Sequence, residues 1–304
     1  MRFRLAISLI VSSALAPAMG CGGGGGAPTD AKDADVGFNL PTKTLKANMQ
    51  SASDSSWAEL GDADLASCAA DVATTTAVTL NTKITDFQIG TTVSGATVAA
   101  FPNIETGAVF DTQTSGSNGA ISFTIPAGTK RFGFKLTGEF FPTFLLNQYI
   151  SPSTVSGGVT TEPSKVRSVS AATAGELPAL IGQSRTPGTG VLAGALRDCN
   201  HHEISNYVVT VSSTPGVATP IGGSSAYYFT LLEVPAHHSQ QEAAGPNGLF
   251  MAIQLPVAAI SYVQAWGFPT AADLASGKLS LVSELAVPVV ADTVITGSLE
   301  PTHP

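Results

Sequence analysis

Four of the five histidines in the chain form two adjacent pairs, and these are the side chains best suited to chemistry. Neutral imidazole is a good ligand for zinc and copper. Adjacent residues on a strand point to opposite faces, so each pair would supply one ligand unless it lies in a turn. Two interpretations remain open. The pairs form a zinc or copper site built from two loops, or they are solvated loop histidines. The four residues are His201, His202, His237 and His238.

The sequence lacks the motifs that would indicate an enzyme. The stretch His202-Glu203-Ile204-Ser205-Asn206 has no second histidine, so it departs from the His-Glu-x-x-His motif of zinc proteases. There is no Gly-x-Ser-x-Gly nucleophile elbow and no Gly-x-x-x-x-Gly-Lys phosphate loop. We therefore predict a non-enzymatic protein without a cofactor, zinc or copper being the exception left open.

Aromatic side chains could instead form a ligand platform in the second half of the chain. Exposed aromatic rings stack on sugar rings, which would make carbohydrate a partner. Aromatic residues at alternate strand positions are more often core residues, so the alternative to a platform is that these rings are buried. The candidates are Tyr227, Tyr228, Phe229, Tyr262 and Trp266, and in the first half we expect Phe132, Phe134, Phe140, Phe141 and Phe144 to be core.

The charge balance argues against nucleic acid as a partner. Residues 1–20 contain two of the 14 basic residues and none of the 22 acidic ones, so the rest of the chain has a net charge of −10. An acidic surface repels phosphate backbones. Only 12% of residues are charged, while small and β-branched residues are abundant, which favours strands over helices.

The N-terminus predicts export. Arg2 and Arg4 precede a short apolar run, which is typical of a signal peptide. The sequence Ala18-Met19-Gly20-Cys21 resembles the lipobox of bacterial lipoproteins, in which the chain is cut before the cysteine and the cysteine is acylated. The resemblance implies a signal peptide over 1–20, a lipid on Cys21 and attachment to the bacterial outer membrane, facing the periplasm or the surface. The alternative is an ordinary signal peptide cleaved near Ala18.

Two further cysteines remain if Cys21 carries lipid. Thiols in an exported protein tend to pair, so we predict a disulfide between Cys68 and Cys199. The alternative is two separate buried thiols.

The chain after Cys21 divides into a leader and two strand-rich halves. Residues 21–75 begin with a run of glycines and hold few apolar groups, so we expect a lipid-anchored, flexible tether and lead-in. From residue 76 apolar and polar residues alternate, as in Ile121 to Ile125, which is typical of half-buried antiparallel strands. We expect strands over 76–150, a linker with a short helix over 151–189, and strands again over 190–304.

The two strand-rich halves look like a divergent repeat. Asn118-Gly119 precedes an apolar strand that ends near Pro126, and Asn247-Gly248 precedes one that ends near Pro256. Asn-Gly is a turn-forming pair and proline interrupts a strand, so both halves share one physical pattern.

These residues carry a family resemblance. Gly95-Ala96-Thr97-Val98, Asn118-Gly119 and the stretch Phe123 to Gly128 resemble the carboxypeptidase regulatory-like family, closely over 76–150 and more loosely over 190–304. The resemblance implies an all-β fold of two tandem Greek-key β-sandwich modules, transthyretin-like or Ig-like. With Cys199 and the closing Gly297 to Pro301, the whole arrangement also resembles uncharacterised lipoproteins of predatory soil bacteria (myxobacteria). In peptidases this sandwich is an accessory module, so it implies a fold and no reaction.

The sequence therefore predicts a non-enzymatic, lipid-anchored envelope protein with a binding, adhesion or structural role. Its partners would be the membrane, through the anchor, and carbohydrate or another envelope protein. One alternative is a periplasmic metal- or carbohydrate-binding lipoprotein that uses the histidine loops or the aromatic strands of the second module. Another is an enzyme of unrecognised type.

Overall fold

The computed structural model describes residues 71–301 except 88, 139, 200 and 201, and it leaves out the side chains of 163–165. The predicted all-β class is confirmed over these residues. Two short α-helices, α1 (Ala171–Ala179) and α2 (Ala271–Ser276), and one turn of 3-10 helix (Pro152–Thr154) accompany the strands in this part of the chain. The strands are β1 (Val78–Asp86), β2 (Thr97–Pro102), β3 (Asp111–Thr114), β4 (Ala120–Ile125), β5 (Phe132–Thr137), β6 (Thr143–Gln148), β7 (Val159–Ser168), β8 (Gly190–Leu196), β9 (Val208–Ser212), β10 (Ser225–Tyr228), β11 (Leu249–Leu255), β12 (Ala258–Gly267), β13 (Ser280–Val289) and β14 (Val294–Leu299).

The described strands form two sets of seven with closely similar pairing. In the first set the order β4-β1-β7 faces β6-β5-β2, and in the second set β11-β8-β14 faces β13-β12-β9. The seventh strand of each set pairs in parallel with the first, as β7 with β1 and β14 with β8. The sets differ in their third strand, because β3 pairs with β2 whereas β10 pairs with β11. Each Asn-Gly pair stands directly before the fourth strand of its set.

The two sets are fused into one eight-stranded sheet, with the order β10-β11-β8-β14-β6-β5-β2-β3. The join is a parallel pairing of β14 with β6, from Val294 opposite Thr143 to Gly297 opposite Leu146. The side-chain amide of Asn147 reinforces it by donating to the Ser298 carbonyl at 2.9 Å. Because backbone hydrogen bonds cross the join, the halves share a sheet and are not merely linked by a loop.

The expected linker over 151–189 contains a strand of the first set. Residues Val159–Ser168 form β7, which pairs with β1 and completes the smaller sheet. Pro163 lies inside this strand, and the register shifts between Thr82 and Ile84 on its partner. Proline is tolerated in a strand that stands at a sheet edge, as β7 does. The expected short helix is present as α1, where the Ser170 side chain accepts the Thr173 N–H.

Side chains of β6 enter two different cores. Leu145 packs with Phe132 and Phe134 in the core of the first set. Phe144 and Leu146 point the other way, into the core that the second set builds around residues such as Tyr207 and Phe250. A third cluster lies beneath α1. The join is therefore a shared hydrophobic core as well as a shared sheet.

Candidate functional site

Arg131 ties the start of the described chain to its end. Its guanidinium forms a two-pronged ion pair with Asp71, at 2.6 and 2.7 Å, and reaches Glu300 at 3.2 Å. The same group lies 4.6 Å from the ring centre of Tyr149. Burial acts to lower the pKa of Arg131, but the hydrogen bond to Asp71 and the charge of Glu300 outweigh it and raise the pKa. The cation therefore stays charged and holds the leader next to the end of β14.

Several loops gather at this end of the eight-stranded sheet, which we call the Asp71 end. Strands β6, β14 and β8 run in parallel and all finish there. Strand β11 starts there, with Leu249 opposite Ala195, and β10 finishes there, with Tyr228 opposite Phe250. The Asp71 end therefore carries the first histidine loop, the Asn247-Gly248 turn and the hairpin that follows β10.

His202 belongs to a turn centred on a buried carboxylate. The Asp198 side chain is 2% exposed, and it accepts the His202 backbone N–H at 2.8 Å and faces the His202 ring Nδ1 at 3.1 Å. A buried carboxylate needs such partners to offset its lost hydration. The His202 ring itself is half exposed. The turn places one imidazole at the surface of the Asp71 end.

His238 covers the outer edge of strand β10. Its ring stacks on Tyr227, with centres 4.5 Å apart and planes 12° apart. Its Nε2 donates to the Ala226 carbonyl at 2.6 Å. His237, beside it, approaches Gly182 just past α1. His238 therefore packs on the edge strand β10, and these contacts are structural.

The described residues do not form the predicted metal site. Within the described part of the chain, no three His, Cys, Asp or Glu side chains come close enough to hold a metal ion. His201 lies outside the described residues, as do Cys21 and Cys68. The zinc or copper site and the disulfide between Cys68 and Cys199 therefore stay predictions.

The prediction of an exposed aromatic platform is wrong for three of its five residues. Tyr227, Tyr228 and Phe229 are 1%, 4% and 4% exposed, so the core reading holds for them. The Tyr228 hydroxyl accepts the Val209 N–H at 2.8 Å on the edge strand β9, and burial raises the pKa of this tyrosine. In the first half Phe132, Phe134 and Phe144 are buried as expected, while Phe140 and Phe141 are half-buried.

The remaining two aromatic residues lie along β12 on either side of Gln264. The pairing of β12 with β13 shifts register between Ala265 and Trp266, the Trp266 ring also packs against the core of the second set, and both rings are half-buried. The Gln264 amide donates to the Glu284 carboxylate at 2.8 Å, and the Trp266 indole donates to the Gln264 oxygen at 3.3 Å. Sequence reasoning missed both polar residues. The alternation along β12 contained Gln264, but Glu284 is brought in only by the pairing with β13.

The segment after β9 crosses this part of β12. Gly216 N–H donates to the Glu284 carboxylate at 2.7 Å, and the Gln264 amide also donates to the Thr214 carbonyl at 3.1 Å. The segment thereby passes over the polar centre between the two rings. The segment leaves Gln264 0% exposed, so what this part of the surface presents to a ligand is two half-buried aromatic rings and the Glu284 carboxylate.

Comparison with known proteins gives distant likenesses only. No protein-family profile matches the chain, and no curated protein matches it. A solved structure titled the Bacillus anthracis TIE protein aligns over 74% of this chain at 12% identity and a TM-score of 0.24, and the chain spans 34% of that structure. The shaft pilin SpaA of Lactobacillus rhamnosus GG aligns over 75% of this chain and 98% of its own length, at 10% identity and a TM-score of 0.22. A streptococcal ancillary pilin aligns over 75% and 64%, at 15% identity and 0.22.

No helix among the described residues has both the length and the apolar character needed to cross a bilayer.

Proposed function

We propose that this protein is a non-enzymatic component of the bacterial cell envelope, with a binding, adhesion or structural role. The observation that carries the proposal is the pairing of β14 with β6, which fuses fourteen strands into one unit with a shared core. Such a unit keeps the loops at its two ends at a fixed separation. That property suits a protein that presents a surface or bears load outside the cytoplasm.

The anchor of this unit is a lipid on Cys21 in the outer membrane. Support comes from the basic start, the short apolar run and the Gly20-Cys21 junction. Asp71, where the described chain begins, is held by Arg131 to the body of the protein. A pull on the leader would therefore act directly on the fused sheet.

Replacing Cys21 with serine is expected to abolish lipid attachment completely. In a Gram-negative host fed radiolabelled palmitate, the Cys21→Ser chain should lose the label and leave the membrane fraction, because serine offers no thiol to acylate. The matched control is Cys68→Ser, which should keep the label. Label retained by Cys21→Ser would contradict the anchor.

A disulfide between Cys68 and Cys199 is part of the same proposal. Cys199 lies in the turn after β8, and both other cysteines of the chain lie outside the described residues. If Cys21 carries lipid, Cys68 is the partner that remains. The bond would fix the leader to the turn at the end of β8, close to the ion pairs of Arg131.

Carbohydrate binding at the aromatic rings of β12 is a second candidate, favoured by the placement of Tyr262 and Trp266 on either side of Gln264. Purified chain should be retained by isolated peptidoglycan sacculi, and Trp266→Ala should lower retention about tenfold by removing one stacked ring.

Trp266→Phe controls for the packing of Trp266 against the core, because it keeps an aromatic ring, and it should recover most of the retention. Tyr262→Phe removes only a hydroxyl and should leave the retention nearly unchanged. Equal retention of the wild type and Trp266→Ala would rule out these rings as the site.

A further inference from the structure

Two neighbouring leucines at the Asp71 end are openly exposed. Leu231 and Leu232 expose 69% and 67% of their surface, at the tip of the hairpin that follows β10. Both are large aliphatic side chains, and neither belongs to the three hydrophobic cores. Exposed apolar residues that stand side by side mark a candidate site of contact with a membrane or another protein.

The hairpin that carries them is firmly built. Thr230 N–H donates to the Val234 carbonyl at 2.9 Å, and Phe229 pairs with Pro235. The Asn247 amide donates to the Thr230 carbonyl at 2.7 Å, which ties the hairpin to the turn before β11. The tip is therefore held in place by the sheet, and its leucines project beyond the sheet's end in a defined position.

The leader enters at the same end of the molecule. Asp71 is bound by Arg131 beside the ends of β6 and β14. Four strand spacings separate β6 from β10 across the sheet, through β14, β8 and β11. At about 4.8 Å each, these amount to about 19 Å. The entry point of the leader and the leucine tip therefore lie at the same end of the sheet, about 19 Å apart.

We propose that Leu231 and Leu232 insert into the membrane leaflet that holds the anchor, as a second attachment point. This inference rests on the lipid anchor proposed above. Forty-nine residues lie between Cys21 and Asp71, ample chain to let this end of the sheet reach the membrane surface. The lipid would keep the hairpin at high local concentration near the bilayer, so a weak apolar contact suffices.

The chemistry of the tip indicates apolar insertion instead of charge attraction. Residues 230–234 contain Glu233 and no lysine or arginine, and the mature chain is acidic. Anionic headgroups would therefore repel the approach, and zwitterionic lipid is the favourable surface. Attachment should for the same reason be insensitive to salt.

The test uses the chain from residue 22 with an N-terminal histidine tag, held on phosphatidylcholine and phosphatidylethanolamine vesicles that contain a nickel-chelating lipid. A Leu231→Trp reporter should show blue-shifted emission and be quenched at least about twofold more than the control by lipids brominated on their acyl chains. Adding Leu232→Ser should reduce that quenching, and raising the salt concentration should leave it unchanged.

The matched control is Ile89→Trp, which replaces an aliphatic residue that is 71% exposed just beyond the far end of β1. Equal quenching of both reporters would overturn the proposal. A blue shift without vesicles that grows with protein concentration would assign the tip to contacts between copies, and would also overturn it. Because the tag replaces the lipid, the result does not depend on Cys21, and loss of the anchor proposal would show only in the palmitate experiment.

Discussion

Replacing Phe144 with alanine is expected to lower the free energy of unfolding by about 3–5 kcal/mol. The ring is 2% exposed and meets Phe101 edge to face, with centres 6.2 Å apart. Although it belongs to β6 of the first set, it packs in the core of the second. The cavity left by alanine would lie between the halves, so both should lose stability together. Urea unfolding followed by far-UV circular dichroism and by tryptophan fluorescence should give one coincident transition at lower urea.

Phe87→Ala is the matched control, because Phe87 is 45% exposed and its truncation should change stability by no more than about 0.5 kcal/mol. Two separate transitions, of which Phe144→Ala moves only one, would show that the halves unfold independently. In that case the pairing of β14 with β6 would not couple the stability of one half to that of the other.

The strands that sequence reasoning located best are those with one face in a core. In β4, Ile121, Phe123 and Ile125 are buried while the residues between them are exposed, which is the alternation seen in the sequence. This signal is local, because each strand carries it without reference to its partner. The Asn-Gly turns are local in the same sense, since the dipeptide alone favours the left-handed backbone seen at Gly119 and Gly248.

Strand β7 was not predicted from the sequence, because what makes it a strand is a pairing with a distant part of the chain. Its proline and the two preceding glycines, Gly157 and Gly158, look like linker residues. What makes it a strand is parallel pairing with β1, about 80 residues earlier in the chain. The join of β14 to β6 has the same character, because residues about 150 positions apart meet there. No periodicity in either segment encodes its partner.

The buried tyrosines show the limit of reasoning from alternation. Tyr227 packs in the cluster beneath α1, and Tyr228 packs in the core between the sheets of the second set. Strand β10 is therefore covered on both faces, and consecutive aromatic residues can both be buried. Helix α1 provides one of these covers, and its position over the sheet follows from the fold as a whole. The sequence offered an exposed platform and a core as alternatives, and only the packing decides between them.

The polar pair on β12 and β13 and the exposed leucine tip could not be predicted from the sequence, because they too depend on residues that are distant in the chain. Gln264 and Glu284 meet because β12 pairs with β13, and the exposed leucine tip stands out only once its neighbours are seen to be buried. Leu231 and Leu232 in a sequence look like core residues. Their significance comes from exposure, and from the shared end of the sheet at which Asp71 also lies.

Gly248→Ala is expected to cost about 3–4 kcal/mol, of which the backbone conformation supplies only about 1 kcal/mol. Gly248 has φ of 61°, and a Cβ there would lie 2.8 Å from the Leu196 carbonyl oxygen and 2.9 Å from that of Ile204. The Leu196 oxygen is fixed because it accepts the Ile204 N–H, so relief of the clash would break the end of β8. Thermal unfolding measured by circular dichroism would report the loss.

Gly223→Ala separates the two contributions, because Gly223 has φ of 83° and nothing lies within 4 Å of an added Cβ. It should cost only the backbone part, about 1 kcal/mol. Gly119→Ala, in the corresponding turn of the first set, would bring a Cβ to 2.8 Å from the Ile84 carbonyl oxygen and should behave like Gly248→Ala. Equal losses at Gly223 and Gly248 would mean that positive φ alone accounts for the glycines. A large loss confined to Gly119 and Gly248 means that the Asn-Gly turn recurs in the two halves because a strand end packs against it in each.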